Sequence, residues 1–264
     1  MSNEEQINCK SCSKTDYTRI DTARFISRLD GYYGVNDLEG AGRHLEYWEA
    51  EARRLGDLRG LLTILNEELG FCRRTSDTDQ ADRVSTETEK LLNQIAPDGL
   101  SGAVIYVNLA TTLSAFGNYE KSLVFYETAD ELYHKMGAEQ SYEYAALLNN
   151  KASALTGICQ TDDAEKCINK AVEILKTIGD HDGEIALSLV TLAHLTYDRD
   201  ETAVPDVEKI LDDAWEFVNS SSITRDSKYA FVLTKCAPSF RYFKREMEAL
   251  AMEEVAEEIY GRRL

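Results

Sequence analysis

Cys9-x-x-Cys12 is the only short motif in the sequence with a spacing that suits a metal or a redox pair. Structural zinc takes four ligands, usually from two such pairs, and no second pair follows. A thioredoxin-type dithiol needs a strand–helix setting, whereas Cys9 and Cys12 lie in the polar run 8–14. Residues 1–17 are therefore expected to form a flexible tail, with Cys9 and Cys12 the only metal candidates and no cofactor. The four histidines, His44, His134, His181 and His194, share no metal-ligand spacing. Neither a phosphate-cradling glycine loop nor a nucleophile elbow occurs. The plentiful carboxylates recur on what read as solvated helix faces. These residues predict binding rather than catalysis, and no enzymatic activity.

The elements that carry them are bounded by composition. The chain has 264 residues, with 29 Lys and Arg against 47 Asp and Glu and a formal charge of −18. Phosphate binding needs clustered cations, so nucleic acid is excluded as a partner, and an anionic membrane surface is disfavoured with it. A partner with a basic or polar surface is expected. The three prolines, at positions 97, 205 and 238, leave room for long helices, because each internal proline removes a hydrogen bond and introduces a clash. The start has no basic region followed by an apolar run, and no window approaches the ~18 apolar residues of a membrane span. A cytoplasmic protein is expected, with Cys72, Cys159, Cys167 and Cys236 reduced inside helical patterns.

A repeat decides the architecture. From Ala103, apolar residues recur at Tyr106, Leu109, Ala110, Leu113 and Phe116, one helical stripe broken by Gly117-Asn118. A second stripe runs through Leu123, Tyr126, Ala129, Leu132 and Tyr133 to Gly137, a residue suited to a left-handed helix end. About 42 residues later, Asn150-Lys151-Ala152 replaces Asn108-Leu109-Ala110, Ala171 replaces Ala129, and Gly179 replaces Gly137. Leu192-Ala193 and Ala214 carry the plan forward again, after about two extra residues around Asp198 to Pro205. Backward, Leu65, Leu69 and Cys72 pair with Ala81, Val84 and Thr88. Before them, Phe25, Leu29 and Tyr32 pair with Ala41, Leu45 and Trp48, closing at Gly56. The sequence predicts a last pair over 224–237 and 239–261. Six glutamates on its second helix mark a cap, whose outer face meets water.

Gly117-x-Tyr119, Ser122 and Ala129 flanking Tyr126, and Leu109-Ala110 resemble the tetratricopeptide repeat (TPR) pattern, with Ala164 and Ala171 matching the next unit. The period alone would also admit HEAT or armadillo repeats; the paired small residues and the Gly-x-Tyr turn favour the tetratricopeptide form. The resemblance covers residues 18–262 and is specific over 103–178. Its period exceeds the usual 34 residues, as in the long-repeat members found in kinesin light chains and bacterial peptide-sensing regulators. It implies an all-α, right-handed superhelical solenoid of about six antiparallel helix pairs, a single domain over 18–264.

The resemblance further implies that first helices line a concave groove. Superposed units place Asn66 and Asn149 at one groove position and Asn108 and Asn150 one residue later, with His194 and Arg73 toward the ends of their helices. An amide both donates and accepts, so a row of asparagines can hold the backbone of an extended peptide. Hydrogen bonding between neighbouring helices is the alternative for these residues. A co-chaperone's carboxylate clamp needs groove cations, where the sequence offers Val107, Thr111, Ser153 and Val190, with Lys151 alone nearby. The expected function is a protein- or peptide-binding adaptor. The alternative is a regulatory receptor whose bound signalling peptide alters a partner's activity, acting through another protein because no separate output domain precedes the array.

Overall fold

The computed structural model describes residues 19–261, and among them twelve α-helices follow one another without a strand. They are α1 (Thr22–Gly34), α2 (Leu38–Leu55), α3 (Leu58–Thr75), α4 (Thr78–Ile95), α5 (Gly99–Ala115), α6 (Tyr119–Met136), α7 (Tyr142–Gly157), α8 (Thr161–Ile178), α9 (Asp182–Arg199), α10 (Val204–Val218), α11 (Ser227–Tyr242) and α12 (Glu246–Gly261). Half of the starts carry a side-chain cap. Asp21, Asp37, Asp57 and Asp77 cap the first four helices by accepting the backbone N–H three residues on, as Ser141 does for α7. Left-handed residues close α2, α3, α4 and α6, at Gly56, Ser76, Ala96 and Gly137. Gly137 (φ 63°) meets this requirement without a Cβ, whereas Ala96 holds φ 44° with one.

Consecutive helices pack as hairpins, α1 with α2 through to α11 with α12, and the second helices α2, α4, α6 and α8 pack on the next pair's first. First helices also touch along the array, α3 to α5, α5 to α7 and α9 to α11. Small residues permit the close approach: Ala129, Ala164, Ala171 and Ala214 have no exposed surface. Tyr126, also fully buried, bonds Thr111 through its hydroxyl at 3.0 Å. The Gly-x-Tyr turn has a physical role between repeats, because the Tyr119 ring lies against Gly157, where any Cβ would meet it at 2.6 Å. Buried side chains fall into two clusters that meet at α5, one running back to α1 and the other on to α12. Each repeat is covered by its neighbours, as in a solenoid.

The last hairpin differs from expectation. Pro238 was expected to separate its helices but lies inside α11, and the turn comes at 243–245, with Lys244 left-handed at φ 62°. Pro238 and Thr234, whose carbonyl loses its N–H partner, are both exposed, and a break on a solvent-facing side costs less than one in a buried helix.

Charge separates by layer. The second helices (α2, α4, α6, α8, α10, α12) together carry 27 Asp and Glu against 11 Lys and Arg. The first helices (α1, α3, α5, α7, α9, α11) carry 7 against 10, and α5 has no charged residue. The acidity of the chain therefore belongs to one layer of the array.

Candidate functional site

The expected asparagines all lie on first helices, where two of them bond each other and a third bonds a serine of the next repeat. Asn108 Nδ2 donates to Asn66 Oδ1 at 2.9 Å across α3 and α5, and Ser188 Oγ donates to Asn149 Oδ1 at 3.1 Å across α7 and α9. These two bonds each tie one first helix to the next, Asn66 with Asn108 and Asn149 with Ser188. Ser188 carried no motif in the sequence and is identified only by the packing of α9.

Their bonding separates them further. Asn66 uses both ends of its amide, since its Nδ2 donates to Glu67 Oε1 at 3.1 Å. Asn149 spends only its carbonyl oxygen, leaving both Nδ2 hydrogens, and the Asn150 side chain bonds no described residue. These half-buried amides sit in a cleft of about 290 Å³ between α7 and α9, which Tyr142, Ala146, Ser153, Leu187 and Thr191 also line. At one end of it the Tyr142 ring stacks on His181 at 4.7 Å. There too, Lys228 of α11 pairs with Glu184 at 2.7 Å, and that hydrogen bond raises the Lys228 pKa. Apart from this ion pair the lining is uncharged, polar and apolar in alternation.

Arg73 and His194 stand elsewhere. Arg73 Nη1 donates to the Asn108 carbonyl at 3.2 Å and to Thr112 Oγ1 at 2.5 Å, tying α3 to α5, and burial lowers its pKa. His194 Nε2 lies 3.0 Å from Ser239 Oγ, and its ring packs on Tyr242 at 5.2 Å and Phe243 at 4.8 Å. Burial lowers its pKa as well. Both residues join neighbouring repeats. Of the positions compared with a carboxylate clamp, Val190 is buried in the core, and Lys151 is paired with Glu127 at 2.7 Å.

No group of three or more His, Cys, Asp or Glu among the described residues could hold a metal ion. Cys9 and Cys12 lie outside the described residues. Cys72, Cys159, Cys167 and Cys236 are free thiols, and burial pushes those of Cys72 and Cys236 up, to about 11 and about 12. No described helix is long and apolar enough to cross a membrane.

No family model matches the chain, and no curated protein matches it in sequence. Solved structures do. BtubC (BKLC) from P. vanneervenii superposes with a TM-score of 0.60 at 18% identity, over 86% of this chain and 92% of that one. The kinesin light chain TPR-like repeats of Podosopora anserina give 0.55 at 14% identity, over 75% and 94%. A Rap protein complexed with competence and sporulation factor gives 0.53 at 14% identity, over 90% and 74%. The fold is that of the tetratricopeptide-like repeat proteins, an all-α solenoid.

Proposed function

We propose that this tetratricopeptide-like solenoid is a non-enzymatic adaptor that holds an extended segment of another protein across its first helices, at the cleft between α7 and α9. The observation that carries the reading is the unspent bonding capacity of Asn149 and Asn150 in a cleft whose one charged lining residue, Glu184, is paired with Lys228. Amides so placed can accept from and donate to a peptide backbone while depending little on its side chains. Asn66 and Asn108 set the spacing of α3 and α5 and would shape the groove rather than touch the ligand; Arg73 and His194 support it in the same way. The neighbouring folds are repeat scaffolds, and one was solved with a bound factor.

The expected partner segment is polar and carries little charge. The negative layer of second helices gives a basic protein surface a separate place to approach. A cytoplasmic setting belongs to the proposal and is supported by the free thiols.

The test begins with a displayed library of random 12-residue peptides selected on the purified protein. The double variant Asn149→Ala with Asn150→Ala should bind the selected peptides about tenfold more weakly, as the loss of one or two hydrogen bonds implies, with an unchanged melting temperature. Equal binding by the double variant, or its unfolding, would remove the proposal. The Rap complex favours a second reading, a receptor for a short signalling peptide. A receptor should become more compact in solution scattering when a selected peptide is added, whereas a static adaptor should not.

A further inference from the structure

The two ends of the array are unlike. Inside it, every pair buries one face against the pair before and another against the pair after. Among the described residues the first pair has no predecessor and the last no successor, so each presents a two-helix face that no described helix covers.

At the first pair this face holds a cleft of about 390 Å³ formed by α1 and α2 alone. Arg24, Arg28 and Tyr32 come one turn apart along α1, and Arg43, Tyr47 and Trp48 face them from α2. Arg24 and Arg28 are exposed and form no ion pair with a described residue; Arg43 pairs only with its neighbour Glu39. Tyr47 is 63% exposed, with its ring edge-on to Trp48. In a chain of charge −18, this cleft is cationic and aromatic.

The far end has the opposite character. Met247, Leu250, Glu254 and Glu257 form one stripe of α12, opposite its buried Ala249, Met252, Ala256 and Ile259. Met247 is 77% exposed and Leu250 42%; on α11 the exposed Phe231 ring is covered by Lys235 at 5.4 Å. Helix α12 has six glutamates and no Lys or Arg. Arg241 engages Glu246 and Glu253, but Glu254 and Glu257 are exposed and form no ion pair with a described residue.

We propose that the last pair of one chain docks on the first pair of a second copy, head to tail, continuing the solenoid across the junction. Glutamates 254 and 257 would meet Arg24 and Arg28, while Met247 and Leu250 would cover the Tyr47–Trp48 surface. Charge complementarity selects this occupant: two first-pair faces would oppose arginines, and two last-pair faces would oppose glutamates. The contact is heterologous, so it propagates and assembly grows with concentration. A face two helices wide and ~25 Å long offers on the order of 500 Å² per partner, at the lower edge of specific interfaces. The association is therefore expected to be reversible, micromolar or weaker, and strongly salt-dependent.

Sedimentation velocity on the full chain, from about 5 to 200 μM, tests this. The mean mass should rise with concentration in 50 mM NaCl and return to that of the monomer in 500 mM. The variants Arg24→Glu with Arg28→Glu, and Glu254→Lys with Glu257→Lys, should each be monomeric, because like charges then meet at every junction. Mixed in equal amounts they should associate again, since each junction between unlike variants pairs opposite charges. All four positions are exposed, and unchanged circular-dichroism melts would confirm folding; Met247→Glu supplies an independent monomeric variant. A monomer at 200 μM in low salt, association that survives the reversals, or failure of the mixture to recover would each overturn the proposal.

Discussion

Glu68 shows how one side chain can be set by layers that its own helix does not contain. It lies on α3 with only 1% of its side chain exposed, and reaches Arg83 of α4 at 3.3 Å. Arg83 in turn faces Glu49 of α2 at 3.3 Å and Glu87 at 3.8 Å, while Arg53 pairs with both of those carboxylates. Burial first, and the Glu49 charge second, push the Glu68 carboxyl up to about 8 despite Arg83. Glu49 is held low by Arg53 and Arg83 although burial opposes this. Since the folded state holds the Glu68 proton more tightly than the unfolded chain does, the stability it contributes is full below the ordinary carboxylate range. That stability is lost as pH rises toward about 8. Glu68→Gln, which mimics the protonated carboxyl, should leave stability at pH 5 nearly unchanged and raise it by about 1–3 kcal/mol at pH 8.5. Urea melts of both proteins at the two pH values would show it, and parallel pH dependence would contradict it. In the sequence Glu68 is one acid among 47; its burial follows from α2 and α4 closing over it.

At the scale of the element, the caps and turns were readable because they are local. Gly56 and Gly137 end helices where a left-handed residue is needed, and the 18-residue helices follow from the long period. Pro238 was misread because a proline stops a helix only where the freed carbonyl is starved of partners. With Thr234 in water, α11 runs through it to Tyr242. Pro238→Ala should restore the missing intrahelical bond and raise stability by about 1 kcal/mol, net of the entropy the unfolded chain regains. A thermal melt followed by circular dichroism would measure it. A fall in melting temperature would show that Pro238 fixes the α11–α12 turn instead.

Across the whole molecule, charge is divided between layers, with 27 acids on the second helices and none of either sign on α5. The ion pairs Arg53–Glu87, Lys121–Glu89 and Arg245–Asp212 offset part of the repulsion within the acidic layer, but exposed pairs contribute little. Screening should therefore stabilise the array. At about 5 μM protein, where chains are apart, the melting temperature should rise by a few degrees from 50 to 500 mM NaCl. Calorimetry would detect this, and a fall would mean that the ion pairs outweigh the repulsion. The same salt step should dissolve head-to-tail contacts at high concentration, so one variable moves the two properties in opposite senses.

The amino-acid sequence by itself determined the helix pairs, their period near 42 residues and the small residues at their crossings, because periodicity and capping depend on neighbours within a few turns. Residues 103–178 stated this most clearly, with Ala129 and Ala171 packed as their spacing implied. It also marked Asn149 and Asn150 as polar residues on a first helix. Tertiary structure alone decided which amides remain free, since the bonds Asn108–Asn66 and Ser188–Asn149 join residues 42 and 39 apart. It also decided that His194 and Arg73 serve the packing between repeats. The net charge of −18 belongs to the sequence; its absence from α5 and its concentration on the opposite layer belong to the fold. A sum over residues is the same for any arrangement of the chain, whereas a surface exists only once the helices have stacked.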